Sequence, residues 1–136
     1  MTEWQDILKA SEQMYWGLLG CRLVESHHEY ITIALTATER HLNHMHIVHG
    51  GVMMSMMDQT MGMIAMAVQG GQPCVTTNMN THFVQSMGQG ELYATARVIH
   101  QSGRTMTLQA EITNEAGETG AIATATFIAT RSKSGA

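Results

Sequence analysis

Between residues 51 and 68 the sequence GVMMSMMDQTMGMIAMAV is apolar around nearly its whole helical circumference, and it stops at Gly70-Gly71-Gln72-Pro73. A helix with so little polar surface is a buried one, so the rest of the chain must supply a shell around it. The segments CVTTNMNTHFV, ELYATARVIHQ, RTMTLQAEITN and GAIATATFIATR follow, rich in Thr, Val and Ile and separated by Gly-containing turns, which predicts four antiparallel strands. Upstream, residues 23–36 alternate and are interrupted by Ser-His-His, which predicts a strand or hairpin over LVES and EYITIALT. Residues 3–17 carry Trp4, Ile7, Leu8, Met14 and Tyr15 in a loose helical period, so a single N-terminal helix ending at Gly17 or Gly20 is expected. With one long helix and no βαβ alternation, the expected fold class is α+β, an antiparallel sheet curled around the buried helix. No repeat, low-complexity tract or linker divides the 136 residues, so one domain spanning 1–136 is expected.

Composition narrows the function. Only 13% of residues are charged, which leaves part of the surface suited to burial in an oligomer. The net charge is -4, with Lys and Arg dispersed along the chain, which argues against a nucleic-acid partner. Cys21 and Cys74 make no disulfide framework or metal-ligand pair, and the N-terminus has neither a basic n-region nor an apolar h-region. A cytoplasmic protein without a membrane segment is expected.

Asp58 is the residue the buried helix does not explain. At about 100° per residue, Gly51, Ser55, Asp58, Gln59 and Gly62 fall on one narrow polar seam. A seam of glycine and serine is one against which something packs closely, and a carboxylate there is partly desolvated and suited to act as a base. At the start of the helix, Gly50 and Gly51 leave backbone N–H groups unobstructed, and such a terminus can stabilise an oxyanion.

Asn43, then His49-Gly50-Gly51 and Asp58, followed by the strand Val75-Thr76-Thr77-Asn78-Met79-Asn80, resemble the hotdog-fold acyl-CoA thioesterases of the phenylacetate-pathway type. The similarity extends over most of the chain, from the Gly17-Leu18-Leu19-Gly20 entry to the Gly103-Arg104 hairpin and the closing Gly-Ala-rich strand. It implies a hotdog fold and hydrolysis of a small aryl- or acyl-CoA thioester. Asp58 would be general base or nucleophile, the Gly50 N–H would polarise the carbonyl, and Thr76 would orient the carboxylate or the water. Asn43 would hydrogen-bond at the same place, and His49 would hold the turn and the acyl carbonyl. Gly51, Gln59 and Arg104 are candidates for substrate contact, Arg104 by reaching a CoA phosphate. The resemblance also implies sites shared across a homodimer, with Asn43 and the His-Gly-Gly turn from one chain and Asp58 and Thr76 from the other, and a dimer of dimers beyond that.

The leaving thiolate has a conjugate acid with a pKa near that of cysteine, ~8.5, so no strong general acid is demanded; one carboxylate and one oxyanion donor are enough, and no cofactor is expected. Acyl carrier protein presents the same pantetheine arm and is an alternative carrier. Two other readings compete, a non-catalytic acyl-CoA-binding module and an enoyl-CoA hydratase. The first would need none of Asn43, Asp58 and Thr76, and the second needs a His close to its Asp, which does not follow Asp58 here. His41, His44, His46 and His49 with Glu39 lie on a connection in no zinc-site spacing, so no metal is expected. Family members usually carry a proline after the polar strand where this chain has Ser86-Met87, so the loop shaping the pocket rim is expected to differ. The seven methionines from Met53 to Met66 read either as core filling or as the wall of a broad acyl pocket.

Overall fold

A computed structural model describes residues 2–131, so both ends of the expected 1–136 domain lie outside the described residues. The central element is the helix α3, Gly50–Val68, which is numbered after two short N-terminal helices, α1 (Thr2–Ser11) and α2 (Tyr15–Leu19). Its buried residues include Val52, Met53, Met56, Met57, Met61, Met63 and Ile64, so the helix is enclosed as its composition demands. Five of its seven methionines, Met53, Met56, Met57, Met61 and Met63, are core, whereas Met54 is exposed and Met66 half-buried. At its end the N–H of Gln69 bonds back to Ala65 and Met66, and Gly70 and Gly71, with φ of 71° and 95°, turn the chain away.

The strands are β1 (Cys21–Ser26), β2 (Ile31–Ala37), β3 (Cys74–Phe83), β4 (Gly90–Ser102), β5 (Thr105–Asn114) and β6 (Thr119–Ala129). They form one antiparallel sheet in the order β1-β2-β4-β5-β6-β3. Alternate residues point at α3: Met106, Leu108, Ala110 and Ile112 on β5, and Ala121, Ala123, Ala125 and Phe127 on β6, are buried. The small alanines of β6 let the helix lie close, and the larger residues of β5 fill the space beside it. This is the hotdog architecture. Among the described residues no helix is long and apolar enough to cross a membrane.

The expected single N-terminal helix is instead two. Met14 is extended (φ -113°, ψ -166°), and Gly17 packs so tightly on the end of α1 that a Cβ there would stand 1.7 Å from the Glu12 carbonyl oxygen. Trp4 and Trp16 explain the break. In one continuous helix they would point about 120° apart, whereas the reversal buries both, at 4% and 7% exposure. Gly20, with φ of 86°, then caps α2 and starts β1.

The edge strand β3 is exposed along most of its length, including Val75, Phe83 and Val84 on or just beyond it. The β1–β2 turn falls at residues 27–30, where Ser-His-His was read as an interruption. The connection to α3 holds a single 3-10 turn, Glu39–His41. In the loop after β3, Met87 is buried against Gly120, and its carbonyl accepts the Val48 N–H at 2.8 Å. A methionine thus anchors the Ser86-Met87 segment.

Candidate active site

The polar seam of α3 is real and half-buried: Gly51, Ser55, Asp58, Gln59 and Gly62 are all of intermediate exposure. On one side lies β3. Thr76 Oγ1 donates to Asp58 Oδ1 at 2.6 Å, a short charge-assisted hydrogen bond that holds the carboxylate and leaves its second oxygen free of this donor. A bulge explains how an edge-strand threonine reaches the helix. The register of β3 against β6 shifts between Thr76 and Asn78, and the extra residue, Thr77, turns its hydroxyl back to the Thr126 carbonyl at 3.0 Å. Such an insertion bends a strand and re-aims its neighbours.

At the other end of the seam, His49 caps α3. Its Nδ1 accepts the Gly51 N–H at 2.8 Å, which fixes the neutral tautomer with the proton on Nε2. Val52 N–H bonds the His49 carbonyl at 2.9 Å. Of the first three amides, the Gly50 N–H is therefore the one that His49 leaves unused. Gly51 faces the imidazole, where a Cβ would lie 3.0 Å from Nδ1, so its role here is to accept the cap. The ring of Phe83, at the end of β3, covers Gly50, with a Cβ there meeting it at 3.2 Å.

Asn43 organises the loop before the helix: its Oδ1 accepts from Met45 N at 2.9 Å and Ile47 N at 3.4 Å, an Asx-type turn. His41 belongs to the same scaffold, its Nδ1 taking the Thr38 N–H at 2.9 Å and its Nε2 2.8 Å from the Leu19 carbonyl. His41 and His49 are thus both engaged by backbone. The cluster of possible metal ligands found among the described residues is elsewhere, at His27, His28 and Glu29 on an exposed turn.

Arg104 is not brought to Asp58 within the chain. Its Nη1 donates to the Ala129 carbonyl at 2.9 Å, and the neighbouring Gly103 carbonyl accepts from Gln69 just past the far end of α3. Asp58 and Gln69 stand about 16 Å apart along the helix axis.

Sequence reasoning missed Tyr15, whose hydroxyl lies 2.8 Å from Ser55 Oγ and ties α2 to the seam one turn before Asp58. Tyr15 read as one more apolar residue of a helix, and no local spacing connects it to Ser55. Part of what packs on the seam is therefore the chain's own N-terminal region.

This sheet and this helix define a hotdog-fold protein, and the seam of the helix carries a carboxylate held by an edge-strand hydroxyl. Residues 45–121, more than half of the sequence, match the model of the thioesterase superfamily, and the chain belongs to that family. The structure of the Escherichia coli PaaI protein from the phenylacetic acid degradation operon is similar over 94% of this chain and 93% of its own, with a TM-score of 0.83 and 24% identity. A Streptococcus mutans protein solved bound to acetyl-CoA is similar over 82% of this chain and 89% of its own, with a TM-score of 0.75 and 22% identity. In sequence, a candidate esterase of Saccharolobus solfataricus is 22% identical over 129 residues, 95% of this chain and 91% of that protein.

Proposed function

We propose that the protein is an acyl-CoA thioesterase with Asp58 as its catalytic carboxylate. The observation that carries this is the Thr76–Asp58 hydrogen bond of 2.6 Å on the seam of the central helix. Asp58 either deprotonates a water that adds to the thioester carbonyl or adds to the carbonyl itself. The carbonyl oxygen, negative in the tetrahedral intermediate, is stabilised by the Gly50 N–H and the helix terminus behind it. Collapse expels the CoA thiolate. Coenzyme A as the carrier is supported by the acetyl-CoA held in the Streptococcus mutans relative.

The working site is formed between two copies of the chain. Gly50 and Asp58 lie eight residues apart on one helix, about 12 Å along its axis. Both must come within about 3 Å of one carbonyl group, so the Gly50 N–H that serves a given Asp58 belongs to the second copy. The exposed apolar residues Val75, Phe83 and Val84 on and beside the unpaired edge strand support such an interface. A dimer of these dimers is the assembly we propose.

A thiol-release assay across aromatic, short-chain and long-chain acyl-CoAs tests the reading. Turnover of at least one class by the wild-type protein, abolished in Asp58→Asn, is expected. No thiol release from any class would reject it in favour of an acyl-CoA-binding module.

A further inference from the structure

Beside Gln59 and Gly62 of the seam lies an open cavity of about 260 Å³ between α3 and the N-terminal helices. It exceeds the ~150 Å³ of an apolar cavity that takes up benzene. Gln59, Met63 and Met66 form its α3 side, and Trp4, Ile7 and Trp16 face them. From Gln59 to Met66 is about 10 Å along the helix axis, enough for one substituted ring or a medium-length acyl chain.

The cavity wall is apolar apart from a few groups, and most of those already have partners. Trp4 Nε1 donates to Ser26 Oγ at 3.1 Å, Ser11 Oγ to the Ile7 carbonyl at 2.8 Å, and Cys74 Sγ to the Gln72 carbonyl at 3.3 Å. Gln59 differs. Its Nε2 is shut off from solvent and has no hydrogen-bond partner. Unpaired buried donors are rare and unfavourable. The terminal amide torsion of glutamine is soft, so the donor can turn to an acceptor placed in the cavity.

We propose, resting on the thioesterase reading above, that this cavity takes the acyl group and that Gln59 makes it selective for acyl groups with an oxygen close to the thioester, 2- or 3-hydroxy and 3-oxo acyl chains. Of the α3 residues that line the cavity, Gln59 is the nearest to Asp58 along the helix axis, so its amide stands at the end toward the reacting group, and the apolar remainder lies between Trp4 and Met66. A plain hydrocarbon of the same length leaves the amide unpaired. Sites built to hydrogen-bond a substrate oxygen discriminate strongly against analogues without it.

The test compares hexanoyl-CoA with 3-hydroxyhexanoyl-CoA in two measurements, kcat/KM for hydrolysis and the Kd of the matching non-hydrolysable thioether analogues. The wild-type protein should favour the hydroxylated member by at least about tenfold in both. Gln59→Met, which keeps side-chain length and helix preference, should bring both ratios to one or below. Equal ratios in the wild-type protein, or a preference that survives Gln59→Met in a folded sample, would overturn the assignment of Gln59. The wild-type comparison decides the matter even if the variant does not fold. Discrimination in analogue binding without hydrolysis would leave Gln59's role standing and remove the thioesterase reading, whereas hydrolysis without discrimination would do the reverse.

Discussion

At Asp58 a carboxylate is tied to one hydroxyl, and the two groups make separable predictions. Asp58→Asn is nearly isosteric but can neither take a proton from water nor attack a carbonyl, so kcat should fall by about 10²- to 10⁴-fold while the melting temperature changes little. Activity within threefold of wild type would take Asp58 out of the reaction. Thr76→Ala removes the 2.6 Å hydrogen bond to the carboxylate, and it should lower kcat by about tenfold or more with a smaller effect on KM. Thr76→Ser keeps the hydroxyl and should recover most of that loss; a change confined to KM would make Thr76 a pocket residue instead. That Asp58 and Thr76 meet was legible in the sequence, because the motif that carries both implies it. That His49 takes up the neighbouring Gly51 amide was not legible, since it follows from the orientation of the ring, nor was the bond from Arg104 to the Ala129 carbonyl, which depends on where the β4–β5 turn meets the end of β6.

The elements whose patterns are periodic matched expectation: α3 and the four strands after Pro73 follow the buried-helix and alternating signals closely. The N-terminal region did not, because its apolar residues fit a helix locally and only the burial of both Trp4 and Trp16 forces the reversal. That reversal depends on Gly17. Adding a methyl group there drives it into the Glu12 carbonyl, so Gly17→Ala should lower stability by about 1–3 kcal/mol, read as a shift in the denaturant midpoint. A midpoint unchanged from wild type would mean that α1 and α2 rearrange freely. The bulge at Thr77 was equally invisible beforehand: the run Thr76-Thr77-Asn78 reads as uninterrupted strand, and the extra residue shows only when β3 is laid against β6.

For the whole molecule, the shared-site model is tested by mixing Asp58→Asn and Asn43→Ala subunits, unfolding them and refolding them together. Each variant alone should be nearly inactive. In a mixed dimer one site collects both defects and the other none. Under random pairing about half the dimers are mixed, so a two-fold interface predicts about a quarter of wild-type activity. No recovery, with mixed dimers confirmed by mass spectrometry, would put both residues in one chain's site. The exposed apolar side chains of β3 could not be read from sequence, because strand order decides which strand lies at the edge.

The methionines sealed in α3 give the molecule a built-in record of its own opening. Peroxide converts a thioether to a polar sulfoxide wherever solvent reaches the sulfur. In the folded protein Met14, Met45 and Met54, which are exposed, should be modified first. Met56, Met57 and Met61, at 0% exposure, should be modified only during transient unfolding, and each sulfoxide formed there prevents the core from closing again. Oxidative damage to this protein should therefore accelerate once begun, and peptide mapping over time should show the helix methionines oxidised together, after the surface ones.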